Sequence, residues 1–178
     1  MGSFISFALA DIAKIEAACG SRDAELFARL VEENREDLEA DLEEREPDEI
    51  SQLEALRRLI FGEDTGSDWN DTFNEAYATL ASEFECRWLA DIRPGWTEWM
   101  DAELNALNVD AARLEWFREF SPWTNEDCRR VWEQWQAVMS EQHASLSPRA
   151  AEQIGEWMGW VEEAASTTNL GILGVSFE

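Results

Sequence analysis

Basic residues are scarce in this chain of 178 residues. It has 14 lysines and arginines, of which only Lys14 is a lysine, against 39 aspartates and glutamates. The formal net charge of −25 at pH 7 excludes a general affinity for nucleic acid or for an anionic membrane, because like charges repel at long range. The same charge suits a basic partner. Adaptation to salt, or a genome that favours arginine over lysine, is the other explanation for it.

Cysteine and histidine are also rare. Three cysteines, Cys19, Cys86 and Cys128, are far apart and odd in number, which indicates reduced thiols in a cytoplasmic protein. His143 is the only histidine, and no zinc spacing, Gly-x-Ser-x-Gly elbow or phosphate-binding glycine loop accompanies it. Carboxylate pairs are too abundant here to indicate acid–base catalysis. We therefore expect a protein that is not an enzyme and that uses no metal and no cofactor.

Long apolar runs are absent, so the sequence predicts no membrane span. The N-terminus has no basic region and carries Asp11 early, which does not indicate a signal peptide. The composition is nonetheless 45% hydrophobic, with ten tryptophans and nine phenylalanines. Large aromatic rings bury much apolar area, which excludes a disordered chain. We expect a single acidic domain over residues 1–178 with a sizeable core.

Strand patterns lie at the two ends of the chain. Residues 3–9 are a short apolar run before Asp11, which is a good helix N-cap, and residues 170–177 alternate glycine with apolar side chains. Between them apolar residues recur mostly at helical spacing, while residues 86–92 fit either a helix end or a strand. The pattern predicts an α+β fold that is predominantly helical, with a small sheet pairing the N- and C-terminal strands.

Capping signals predict where several helices begin. Thr124 and Asp127 have the spacing of a capping box, with aspartate in the place of the usual glutamate or glutamine. A further short helix is expected near residues 110–120. The other predicted starts are Ser21 as an N-cap, Pro47 and Pro94 as first helical residues, and the dipeptide Ser147-Pro148.

An acidic band runs from Glu32 to Glu49, with 11 acidic residues and two arginines. Only Leu38 and Leu42 keep a helical stripe there, so the band is either a solvated helix or a loop. The loop after Gly62 is rich in carboxylates, but its spacing lacks the glycine and glutamate of a calcium-binding EF-hand. Trp69 and Trp123 stand in predicted polar loops, where an exposed aromatic ring often anchors a partner. The predicted partner-binding residues are Glu32, Glu33, Glu36, Asp37, Asp41, Glu44, Asp64, Asp68, Trp69 and Trp123.

Pairs of tryptophans three positions apart occur three times, as Trp96/Trp99, Trp132/Trp135 and Trp157/Trp160. Residues with this spacing lie on the same face of a helix. A core stripe is the commoner cause of such a pattern. The alternative is the aromatic wall of a pocket for a small molecule or a peptide.

Three segments of the chain resemble the bacterial YfbM-like family. They are the opening strand after Met-Gly, residues 55–62 (ALRRLIFG) and residues 157–177 (WMGWVEEAASTTNLGILGVSF). The resemblance implies a small cytoplasmic α+β protein with a terminal strand, and it supplies no catalytic residues. Small acidic proteins without catalytic motifs are also similar in kind to the immunity proteins of bacterial toxin systems.

We therefore expect a non-catalytic protein-binding protein, most plausibly an immunity or antitoxin-type inhibitor that occludes the cationic site of a bacterial toxin. The expected partner is a basic protein, with no direct contact to nucleic acid or membrane. The sequence does not determine the oligomeric state. The alternatives are a YfbM-like module that binds a small molecule or peptide, and an inhibitor that mimics nucleic acid.

Overall fold

The computed structural model describes residues 4–46, 49–64, 71–109, 122–138, 140–144 and 146–177. Its elements, in chain order, are β1 (Phe4–Asp11), α1 (Ile12–Ala18), α2 (Ala24–Glu33), α3 (Arg35–Glu44), α4 (Gln52–Phe61), α5 (Asp71–Ser82), β2 (Arg87–Ile92), α6 (Pro94–Ala106), α7 (Asn125–Ala137), α8 (Ser140–His143), α9 (Pro148–Ser166) and β3 (Leu170–Phe177). The expected helix near residues 110–120 lies outside the described residues. The helix-dominated α+β prediction is confirmed.

The backbone forms two compact units. The first, which we call the sheet unit, comprises Met1–Ile12 and Arg87–Ser176; the second, the helical unit, comprises Ala13–Cys86. The last two residues of the chain divide between them. The expectation of a single domain over residues 1–178 stays a prediction.

The three strands of the sheet unit are ordered β2-β1-β3, so the predicted pairing of the terminal strands is confirmed. The ambiguous segment before Pro94 is a strand, β2, and runs antiparallel to β1. Phe7 lies opposite Ala90, whereas Ala8 lies opposite Trp88, so Leu89 is an extra residue on β2. Such an irregularity re-aims the side chains that follow it.

The core of the sheet unit is built on β1 and α9. From its second residue onward β1 is buried on both sides, in keeping with a sequence that is apolar between Phe4 and Ala10 except at Ser6. Ile154, Trp157, Met158 and Val161 recur along α9 at helical spacing and are buried. Phe7 and Trp157 meet edge to face, with ring centroids 5.1 Å apart, and so join the strand to the helix.

The helical unit packs α4 against α5. Gly20 and Gly62 follow α1 and α4 with φ of 73° and 66°, the left-handed conformation that glycine adopts most readily. A Cβ atom on Gly62 would lie 3.0 Å from the Cα of Gly20. The Gly20 N–H also donates to the Leu59 carbonyl at 2.8 Å. The two helix ends therefore meet backbone to backbone, as only small residues permit.

Several predicted helix starts are confirmed, the one at Ser21 is wrong, and the one at Pro47 is not among the described residues. Thr124 and Asp127 form a reciprocal capping box, and Ser147 caps α9 with Pro148 in its first turn. Asp23, not Ser21, caps α2, because its side chain accepts the N–H groups of the first turn. Pro47 lies outside the described residues, and the next described helix, α4, begins at Gln52 with Ser51 as its cap. The Ser51 hydroxyl accepts the Glu54 N–H, one of the free N–H groups of the first helical turn.

Candidate functional site

Most of the described acidic band is a solvated helix rather than a loop. The band covers the end of α2 and the whole of α3, and Asn34 separates these two helices. Among the α3 side chains that the structure describes, Leu38 alone is fully buried, at 3% exposed. Glu36, Asp37, Glu39 and Glu43 are exposed. The buried Leu38 packs this helix against the unit, and most of the described carboxylates of α3 face solvent.

The predicted partner-binding residues of the helical unit differ in their environment. Glu33, Glu36 and Asp37 are exposed, and Glu32 is exposed while pairing with Arg35. Asp41 is instead engaged inside the unit: it pairs with Arg45 and accepts the Gln52 N–H at 2.8 Å. Glu44 is the last residue of α3, and Asp64 is exposed after α4. Asp68 and Trp69 lie outside the described residues.

Trp123 is buried, so the expectation of an exposed loop tryptophan is wrong at this position. Its side chain is 2% exposed and meets Trp157 edge to face with centroids 5.6 Å apart. Its backbone forms a bridge to β3, donating to the Ile172 carbonyl at 2.8 Å and accepting the Ile172 N–H at 2.9 Å. Because Ile172 is distant in sequence, no pattern near Trp123 predicts this bridge. The polar residues around Trp123 instead predict an exposed loop.

Leu42 is a surface residue that the sequence pattern did not identify. Its spacing of four positions from Leu38 predicts that both lie on one apolar helix face, but 52% of the surface of Leu42 is exposed. The exposed carboxylates of Glu39 and Glu43 lie beside it on α3. The acidic surface thus carries an uncovered apolar side chain. We call Glu36, Asp37, Glu39, Leu42 and Glu43 the α3 surface.

A cleft of about 710 Å³ opens in the sheet unit between the end of β2 and the first turns of α6 and α9. Trp96 and Trp99 line it from α6, and Trp157 and Trp160 line it from α9. Two of the three predicted tryptophan pairs therefore converge on one concave surface. We call it the tryptophan cleft.

The tryptophans of the cleft belong partly to the core and partly to its wall. Trp157 is 0% exposed and contacts Trp96 and Trp160 edge to face, with centroids 6.0 and 5.8 Å apart. Trp96, Trp99 and Trp160 are half-buried. The predicted core stripe and the predicted pocket wall thus coexist in one aromatic cluster. The third pair, Trp132 and Trp135, packs against the core without lining the cleft.

Four charged side chains also line the cleft, namely Asp91, Arg93, Arg149 and Glu156, and all four are exposed. Asp91 follows the irregularity on β2 and accepts the Ser6 hydroxyl at 2.5 Å, which orients it. Within the described part of the chain neither arginine of the cleft forms an ion pair. The arginines that do are Arg29, Arg35, Arg45, Arg57, Arg58, Arg87 and Arg130.

The thiols are not activated for chemistry. Cys19, Cys86 and Cys128 are all free. Burial raises the pKa of Cys19 and of Cys86 to about 11 and the pKa of Cys128 to about 12. At neutral pH these residues are therefore protonated thiols, which are poor nucleophiles.

Other chemistry has little support in the part of the chain that the structure describes. Those residues contain no cluster of histidine, cysteine and carboxylate side chains suited to a metal ion. His143 stacks on Trp135 with ring centroids 4.3 Å apart. No helix among the described residues combines the length and apolar character needed to cross a bilayer.

A protein-family model, described as a domain of unknown function, matches residues 1–176. No curated protein and no solved structure matches the chain. The family match spans both compact units. The resemblance to the YfbM-like family stays a prediction.

Proposed function

We propose that this chain, which belongs to the DUF7691 family, is a non-catalytic protein that binds a basic protein partner through its α3 surface. The observation that carries the proposal is Leu42, an apolar side chain that is 52% exposed among exposed carboxylates. Interfaces commonly combine an apolar anchor with a polar rim that excludes water. A complementary partner offers an apolar depression bordered by lysine or arginine.

Charge supports the same partner. A net charge of −25 attracts cationic proteins over a distance set by the ionic strength and raises the rate of association. The carboxylates of Glu36, Asp37, Glu39 and Glu43 concentrate this charge on one helix. In its most specific form the partner is a bacterial toxin that cleaves nucleic acid or processes nucleotides. Such an enzyme needs a cationic site for phosphate, and an acidic protein seated there occludes it.

The test is to measure, by surface plasmon resonance, binding to any basic protein whose gene lies beside this one. We expect the association rate to fall at least about tenfold between about 50 and 500 mM NaCl, because salt screens electrostatic attraction. We expect Leu42→Ser to speed dissociation at least about tenfold, because affinity changes at an anchor residue fall mainly on the dissociation rate. The melting temperature of Leu42→Ser should equal that of the wild type, since Leu42 is exposed.

A matched pair of charge variants separates this surface from the overall charge. Glu36→Gln with Asp37→Asn removes two negative charges from the α3 surface, and Glu152→Gln with Glu162→Gln removes two exposed charges from α9. We expect the first pair to slow association more than the second. An association rate that is flat with salt, or equal effects of the two pairs, contradicts the proposal.

A further inference from the structure

The tryptophan cleft holds two arginines and two carboxylates in a chain that has few cations. Four arginines form no ion pair among the described residues, and two of these, Arg93 and Arg149, line the cleft. With 39 carboxylates in the chain, an internal partner is available almost anywhere on the surface. Two exposed guanidinium groups left unpaired at one cleft are therefore placed to bind an anion, which arginine holds with two parallel N–H groups.

The two helices that border the cleft lack acidic residues in their first turns. Among the described helices of ten residues or more, α2, α3, α4, α5 and α7 carry an acidic residue in the first turn. The two exceptions are α6 and α9, whose first turns contribute Gly95 and Arg149 to the cleft. A carboxylate in these turns would compete with an anionic ligand for the positive end of the helix. Its absence there supports the role of the two arginines.

The aromatic walls add a requirement for a flat ring. Trp96, Trp99 and Trp160 are half-buried around the fully buried Trp157 and line the cleft, so part of each ring is accessible to a ligand. Nucleic acid bases stack on such rings whatever their sequence. The cleft of about 710 Å³ falls within the range of small-ligand pockets, about 300–1,000 Å³.

We propose that the tryptophan cleft binds a nucleoside monophosphate. The phosphate binds between Arg93 and Arg149, and the base stacks on the tryptophan walls. Ionised carboxylates only accept hydrogen bonds, so Asp91 and Glu156 accept them from the sugar hydroxyls or from amino groups of the base. This ligand accounts for both charge signs in the cleft together with its aromatic walls. The proposal is independent of the α3 surface, which belongs to the helical unit.

Isothermal titration calorimetry with AMP, GMP, CMP and UMP tests the ligand class. We expect at least one of the four to bind. The matching nucleoside lacks the phosphate and inorganic phosphate lacks the base, so each should bind at least about tenfold more weakly. Glucose 6-phosphate serves as a phosphate on a ring that is not flat. The proposal is overturned if no nucleotide binds at millimolar concentration, or if glucose 6-phosphate binds as tightly as the best nucleotide.

Two matched pairs of variants locate the site. Arg149→Gln should weaken nucleotide binding at least about tenfold, whereas Arg22→Gln, which removes the same charge from the helical unit, should change it less than about twofold. Gly95→Glu adds a carboxylate to the cleft, and Gly155→Glu adds one to an exposed site on α9. A Cβ atom at either glycine meets nothing within 4 Å, so both variants should fold.

We expect Gly95→Glu to reduce binding at least about tenfold and Gly155→Glu to leave it within about twofold. Circular dichroism melts of all four variants establish that they fold. Equal binding by Arg149→Gln and the wild type, or equal effects of the two glycine substitutions, overturns the placement of the phosphate.

Discussion

Trp157 contacts four other aromatic rings. It contacts Phe7 from β1, Trp96 from α6, Trp160 from α9 and Trp123 from the bridge to β3, all edge to face. Edge-to-face pairs add to the stabilisation from burial alone. One side chain thus supports the core of the sheet unit and the floor of the tryptophan cleft.

Truncation of Trp157 should therefore be costly. We expect Trp157→Ala to lower the free energy of unfolding by about 3–5 kcal/mol, the usual cost of deleting a buried large aromatic side chain. Urea denaturation followed by circular dichroism measures it. Trp88→Ala is the control, since Trp88 is 44% exposed, and its cost should stay below about 1 kcal/mol. Similar losses for both variants would contradict the assignment of Trp157 to the core.

Glu54 is the carboxylate whose pKa the structure lowers most clearly. Hydrogen bonds from Arg57, at 2.8 and 2.9 Å, and a further bond from Arg58, at 2.9 Å, hold its pKa at about 2. A folded-state pKa below the unfolded value of about 4.3 means that ionised Glu54 stabilises the fold above that pH. The stabilisation is lost as the pH falls toward the folded value.

We expect Glu54→Gln to destabilise the protein by about 0.5–1 kcal/mol at pH 7, the range for a well-formed but partly exposed ion-pair network. The difference from the wild type should shrink steadily below about pH 4, where the unfolded carboxyl is already protonated. Chemical denaturation at a series of pH values measures it. Glu43→Gln on the exposed side of α3 is the control. A difference that stays constant down to pH 3 would refute the assigned pKa.

At the scale of elements, β3 depends on how closely the Trp123 backbone approaches it. A Cβ atom on Gly171 would lie 2.1 Å from the Trp123 carbonyl oxygen and 2.7 Å from the Ile12 side chain. The flanking residue Ile172 exchanges two backbone hydrogen bonds with Trp123. Glycine at position 171 is therefore required by the space available, and not by an unusual backbone angle.

Gly171→Ala should destabilise the protein by about 1–3 kcal/mol or more, because an overpacked site forces the backbone to shift. Gly155→Ala, in the middle of α9 with open space around it, should instead be neutral or stabilising by up to about 1 kcal/mol, since alanine favours helix. Thermal and urea unfolding distinguish the two. An alanine at position 171 that is tolerated as well as one at 155 would disprove the close approach.

At the scale of the whole molecule, the carboxylates outnumber the groups that can neutralise them. The chain has 39 acidic and 14 basic residues, so the folded state concentrates unpaired negative charge. Mutual repulsion makes the folded state bind protons more readily than the unfolded chain. Burial also raises the pKa of Glu75, which acts in the same direction. The opposite contribution of Glu54 falls at lower pH.

We expect the melting temperature to rise as the pH falls from about 7 to about 5.5, because stability falls with pH wherever the folded state binds more protons. Added salt should raise the melting temperature at pH 7 by screening the repulsion. It should do so less at pH 5.5, where fewer carboxylates are charged. Melts at both pH values in low and high salt test this. A melting temperature that drops on acidification and is flat with salt would show that the acids are mostly paired.

Features with a local cause were predictable from the sequence. The terminal strands, the capping box at Thr124 and the start of α9 at Ser147 follow from side chains that satisfy nearby backbone groups or from apolar periodicity. For the acidic band the sequence allows either a helix or a loop, since repulsion between its carboxylates opposes helix formation there. The structure shows a helix, because burial of Leu38 seats it.

Features that depend on distant contacts were decided only by the tertiary structure. Trp123 is buried because its backbone bridges to Ile172, and nothing in its own neighbourhood signals that. The tryptophan pairs of α6 and α9 lie partly in the core and partly on the cleft wall, since packing buries the ring of Trp157 and leaves the other three rings half-exposed. Arg93 and Arg149 lie 56 positions apart in the sequence, and only the convergence of two helix starts places both at the same cleft.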